Sequence, residues 1–133
     1  MNKSIVISGL ILIIIQCRSD DKKISIIGTW KVDSIYTYYN GFDFTRQDVE
    51  DEPILHYEPD GQLRMTKREE SRSFLFDLSV QDTLIHRTLD NKVFDKFFIQ
   101  RIDRKQLILR KDLRPVFKGT KQERYEIKFL SKQ

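Results

Sequence analysis

The segment Ile26-Ile27-Gly28-Thr29-Trp30-Lys31-Val32 begins a pattern that runs to the C-terminus. Glycine permits a tight approach into a strand because it has no Cβ to clash. Trp30 then opens a row of alternate residues, Trp30, Val32, Ser34, Tyr36 and Tyr38, which a strand carries on one face. That row is expected to point inward, with Gly28 and Trp30 as a structural plug at one end of a closed sheet.

Downstream of this segment the hydrophobic period stays close to two. Strands are expected at 29–39, 54–57, 63–67, 73–80, 83–87, 96–101, 106–110 and 124–129. Asn40-Gly41 breaks the first, and a long polar loop follows through Pro53. Pro59-Asp60-Gly61 joins the second to the third, because proline fixes φ and glycine accepts positive φ. Gln81-Asp82 and Asp103-Arg104-Lys105 make further turns. About eight short strands joined by hairpins form an antiparallel meander, and a meander removes its exposed edges by closing. The expected fold is all-β, an antiparallel up-and-down barrel of about eight strands; a sandwich would need longer crossovers.

Upstream of the segment the chain is read as a cleavable leader. Met1 to Ser4 carries one lysine, and Ile5 to Ile15 is an apolar run of roughly eleven residues, the length of a signal-peptide core rather than of a membrane span. Cys17, the only cysteine, stands directly after it and is followed by Arg18-Ser19-Asp20-Asp21-Lys22-Lys23. The layout resembles a bacterial lipoprotein signal, although Gln16 occupies the position where a small residue is usual. The expected organisation is a signal peptide at 1–16, a polar tether at 17–25 that starts at a lipidated Cys17, and the barrel at 26–133. Acyl chains on Cys17 would anchor the protein to the cell envelope, at the periplasmic or surface-exposed side of an outer membrane, since each buried methylene adds about 0.8 kcal/mol.

Gly28-Thr29-Trp30 at the head of a meander resembles the Gly-x-Trp motif that opens lipocalins. Together with Pro59-Asp60-Gly61, Asp82-Thr83-Leu84, Leu107-Ile108-Leu109-Arg110 and Tyr125-Glu126-Ile127-Lys128-Phe129, it is similar to the small lipocalin-like domains of bacterial lipoproteins. The resemblance implies a small hydrophobic or amphipathic ligand in the open end of the barrel, and a basic residue over the tryptophan, with Arg124 and Lys128 as the two candidates. Tyr36, Tyr38, Phe74 and Phe76 are the expected lining. Phe97 or Phe98 and Tyr125 or Phe129 would add further inward rings. An eight-stranded barrel is just wide enough to be filled by side chains or to hold one small ligand, so a hollow and a solid interior both remain open.

No catalytic signature is visible: there is no Gly-x-Ser-x-Gly elbow and no phosphate-binding glycine loop. No enzymatic activity, cofactor or metal is expected. His56 and His86 lie in different hairpins, outside the spacings that zinc sites use; one is read as a ring-lined barrel position and the other as an exposed strand position, with neither histidine assigned to either. Asp48, Glu50, Asp51 and Glu52 form an acidic loop that lacks a calcium-binding pattern and would stand at the mouth as a lid. Residues 41–60 hold seven acids and one base, whereas residues 101–133 hold eleven bases and four acids. The basic third would attract an anionic glycan or an envelope protein, or would simply place its cations on the outward face of the last strands. Nucleic acid is not expected as a partner. The alternative function is a non-enzymatic interaction protein with a solid barrel.

Overall fold

A computed structural model describes residues 25–79 and 81–133. The 1–16 leader, Cys17 and the tether as far as residue 24 lie outside the described residues. Nine strands are present among the described residues: β1 (Gly28–Tyr39), β2 (Phe42–Arg46), β3 (Ile54–Tyr57), β4 (Gln62–Lys67), β5 (Glu70–Leu78), β6 (Thr83–Arg87), β7 (Val93–Ile102), β8 (Gln106–Asp112) and β9 (Arg124–Lys132). Every pairing is antiparallel. β3 to β9 follow one another around the wall, β1 pairs with both β3 and β9, and these eight strands close the barrel.

β2 is the element that the sequence reading places in a loop. Its Phe-Asp-Phe-Thr alternation pairs with the far half of β1, from Ile35↔Arg46 to Tyr39↔Phe42, and Asn40-Gly41, both at positive φ, supply the two-residue turn. β3 meets only the first residues of β1, Gly28 to Trp30. The 47–53 segment covers the gap between, where the Val49 side chain is buried in the core.

The two ends of the barrel differ. Tight connections close one end, where the Glu58 N–H donates to Gln62 O, Ser79 N–H to Thr83 O and Asp103 N–H to Gln106 O. Above these turns, Trp30, Val32, Leu63, Phe76, Leu84, Leu107 and Leu130 are buried in one cluster. Ile26 seals it from below, its carbonyl accepting the Trp30 indole N–H at 2.7 Å. Trp30 is fully buried at this end. The cation above it is Lys132, its Nζ 5.3 Å from the ring centre, rather than Arg124 or Lys128. Those two sit further up β9, opposite Tyr39 and Ile35, whereas Lys132 is directly opposite Trp30.

The inward row of β1 departs from strict alternation. The β1–β9 register shifts between Val32 and Ser34, which marks Asp33 as a β-bulge. One extra residue moves every later side chain to the opposite face. Ile35 is consequently buried in the core, and Ser34, Tyr36 and Tyr38 stand on the outer wall instead of the inner one. Tyr38 stacks on Tyr125 there, with centroids 4.9 Å apart, and the Arg110 guanidinium lies 3.9 Å from the Tyr125 ring centre. Partial burial and then a hydrogen bond to Asp43 push the Tyr36 phenol up to about 12.

Candidate functional site

The interior changes character halfway up. The lower half is filled with apolar side chains. Phe76 belongs to this half, packed edge-on against Tyr57 with centroids 4.9 Å apart. Phe97 is the inward ring of its pair and Phe98 faces out; neither Tyr125 nor Phe129 is inside, because both share the outer face with Tyr36 and Tyr38.

Above the apolar half lies a layer of charge. Lys128 Nζ meets Glu52 at 2.7 Å, and Lys111 pairs with Asp95. Arg46 contacts Glu52 at 3.2 Å and Asp51 at 3.0 Å. Lys111, Lys128 and Lys132 all face inward, against the expectation that the C-terminal bases occupy the outward face. The reason is register: Leu107, Leu109 and Lys111 share one face of β8, and Lys128, Leu130 and Lys132 share the inner face of β9. The acidic 48–52 loop accordingly is fastened to the wall through Arg46 and Lys128. It completes the wall between β1 and β3, with a cleft of about 550 Å³ beside it lined by Lys31, Asp33, Val49 and Glu50.

His86 sits under this layer, 1 % exposed, among Tyr57, Phe94 and Phe97. Its Nε2 shares a 2.9 Å hydrogen bond with the Tyr57 hydroxyl, and its Nδ1 has no hydrogen-bond partner among the described residues. Burial pushes the imidazole down to about 4, Asp95 opposes the shift, and Lys128 and Lys111 reinforce it. Burial, with Asp95 reinforcing, raises the Tyr57 phenol well above its ordinary range. His56 is on the outer face of β3, hydrogen-bonded to the Thr29 hydroxyl at 2.9 Å, so the two histidines are separated by the barrel wall.

The open end is formed by the β2 hairpin, the β4–β5 turn, the β6–β7 connection and the β8–β9 loop. Among the described residues, eight large apolar side chains are exposed, and seven of them belong to this end. Phe42 and Phe44 come from β2, Leu89, Val93 and Phe94 from the β6–β7 connection and the start of β7, and Val116 and Phe117 from the β8–β9 loop. Two hollows open at this end, and Phe44 and Val116 border one of them. One, about 320 Å³, is bounded by Pro53, Met65, Arg72 and Phe74. The other, about 480 Å³, runs between β2 and the β8–β9 loop, with Tyr39, Phe44, Leu113 and Val116 on its walls and Arg46, Arg124 and Glu126 among its polar groups.

Of the expected lining, only Phe74 reaches a hollow at the mouth; its ring also meets Phe94, 4.9 Å between centroids. Phe76 lies too deep, and Tyr36 and Tyr38 are outside. All seven exposed apolar residues of the mouth, Leu89, Val93 and Phe94 as well as those of β2 and the β8–β9 loop, escaped sequence reasoning. Their signal was apolar side chains inside stretches otherwise rich in charge and turn residues. Comparisons with family models, curated proteins and solved structures returned no match for this chain.

Proposed function

We propose that this protein binds a small amphipathic molecule at the open end of a lipocalin-like barrel, as a cell-envelope lipoprotein held through acyl chains on Cys17, and that it is not an enzyme. The observation that carries the reading is the segregation of exposed apolar side chains to one end, above a layer of paired charges. Contiguous exposed apolar surface on a soluble domain marks a place where something docks. A hollow of a few hundred Å³ that combines apolar walls with charged side chains, as between β2 and the β8–β9 loop, suits a small amphipathic ligand. Ile26 enters at the closed end, so a tether starting at Cys17 would leave the mouth accessible.

Native mass spectrometry of the protein taken from its own membrane tests the reading. A reproducible added mass of a few hundred daltons, lost when Phe44 and Val116 are replaced by serine, is the expected result. A bare protein mass under the same conditions counts against it.

A second reading, an interaction surface for an envelope protein or an anionic glycan, is supported by the outer wall. Tyr36, Tyr38, Tyr125, Ile127 and Phe129 form a half-buried aromatic and aliphatic strip across β1 and β9, with Arg110 beside it. Aromatic residues and arginine are enriched in the cores of protein interfaces. Cross-linking at Tyr38 in the native envelope, compared with cross-linking at Phe44, separates the two readings.

A further inference from the structure

We infer that the groove between β2 and the β8–β9 loop takes a zwitterionic amphiphile, its anionic group on Arg124 and its ammonium group on Glu126. The inference rests on the reading of the mouth as a ligand site and gives that ligand a chemical class.

Three charged side chains line this groove: Arg46, Arg124 and Glu126. Arg46 is committed to Asp51 and Glu52. Arg124 is not paired with an acid among the described residues; Nη1 donates to Arg114 O at 2.9 Å, and the guanidinium lies 5.4 Å from the Tyr39 ring centre. A guanidinium carries five N–H donors in a planar fork suited to phosphate or carboxylate, so most of its donors remain free. Glu126 forms no side-chain hydrogen bond or ion pair among the described residues. Its cross-strand neighbour Lys111 is taken by Asp95.

Arg124 and Glu126 are two apart on the inner face of β9, roughly 7 Å along the strand, and they do not pair with each other. The groove thus offers one free cation and one free anion side by side, under apolar walls. A purely anionic head group entering it would meet Glu126, a purely cationic one would meet Arg124, and a neutral one would leave both partly desolvated without partners, which is unfavourable. A phosphate or carboxylate a few bonds from a primary ammonium satisfies both charges, while the apolar chain lies on Phe44, Leu113 and Val116.

The test is calorimetric titration of the full chain with single-chain amphiphiles of one chain length that carry phosphoethanolamine, phosphocholine, phosphoglycerol or unmodified glycerol head groups. Phosphoethanolamine is expected to bind about tenfold more tightly than phosphoglycerol, the effect of one charge-assisted hydrogen bond. Phosphocholine should be weaker than phosphoethanolamine, because a trimethylammonium has no N–H to donate to Glu126. Glu126→Gln should abolish the preference over phosphoglycerol, and Arg124→Gln should weaken both phosphate ligands about tenfold. Thermal midpoints show that each variant is folded. Equal affinity for all four head groups in the unmodified protein and both variants overturns the inference while leaving the mouth a ligand site. Absence of saturable binding by any of the four overturns both.

Discussion

At the residue scale, His86 couples stability to pH. Its folded value of about 4 lies below the ordinary 6.5 because burial disfavours the cation. Between those values the unfolded chain holds the additional proton, so stability is complete above about pH 6.5 and falls as pH drops towards 4. The total loss is on the order of 3 kcal/mol, and about 2 kcal/mol of it is reached by pH 5. His56, shifted down chiefly by burial, acts in the same direction, whereas the depressed carboxylates Asp51 and Asp103 act at lower pH. Urea unfolding midpoints at pH 7 and pH 5 should therefore diverge in the unmodified protein and lie closer together in His86→Leu. Equal divergence in both would assign the effect elsewhere. Gly28 makes a second residue-level case. Its φ is +130°, and a Cβ there would lie 2.7 Å from Lys132 Cε. Gly28→Ala should destabilise by about 1–3 kcal/mol. Adding Lys132→Ala should recover only the part due to the close approach, leaving the backbone strain.

At the element scale, the bulge in β1 decides which rings are structural. The alternation from Trp30 to Val32 was legible, and so were most strand positions and turns. What the sequence hid was the extra residue at Asp33, since a bulge alters register without altering composition. The result was an inside-out assignment of Tyr36 and Tyr38, a mistake that no reading of period two avoids. β2 was hidden for a related reason: its phenylalanines stay exposed, so a strand-like alternation sits in a stretch that is otherwise polar. The assignment has a measurable consequence. Phe76→Ala removes a core ring and should reduce stability by about 3–5 kcal/mol. Tyr38→Ala loses one outer stacked pair and should reduce it by only about 0.5–1.5 kcal/mol. Comparable losses in chemical denaturation would mean that Tyr38 is inside after all. The 47–53 segment is an element of a different kind, held by charge. Glu52 and Lys128 are 16 % and 21 % exposed, so removing one partner leaves the other poorly solvated. Glu52→Gln should speed proteolysis within this segment, whereas Glu69→Gln, on the exposed β4–β5 turn, should not.

At the scale of the whole molecule, one barrel carries two environments. The closed end holds the large apolar core that an isolated domain of this length requires, and the open end leaves apolar side chains in water that contribute little to folding. Closure makes the separation possible: eight strands hydrogen-bonded in a ring keep the wall intact even where the interior is not filled. The sequence shows both groups of apolar residues, but only the topology tells them apart, because Phe44 and Phe76 look alike until β2 is placed beside β1 and β5 is placed in the wall. Substitutions at the two ends should accordingly separate in effect. Leu107→Ala opens a hole in the packed half and should lower stability by about 2–5 kcal/mol, with ligand affinity unchanged under conditions where the variant is folded. Phe44→Ser with Val116→Ser removes exposed apolar surface and should leave the unfolding midpoint within about 0.5 kcal/mol of the unmodified protein, while lowering amphiphile affinity at least tenfold. Paired measurements of denaturation and calorimetric binding on both variants check the separation. Loss of stability in the mouth variant would show that the rim is part of the folded core, and the ligand reading of the open end would fall with it.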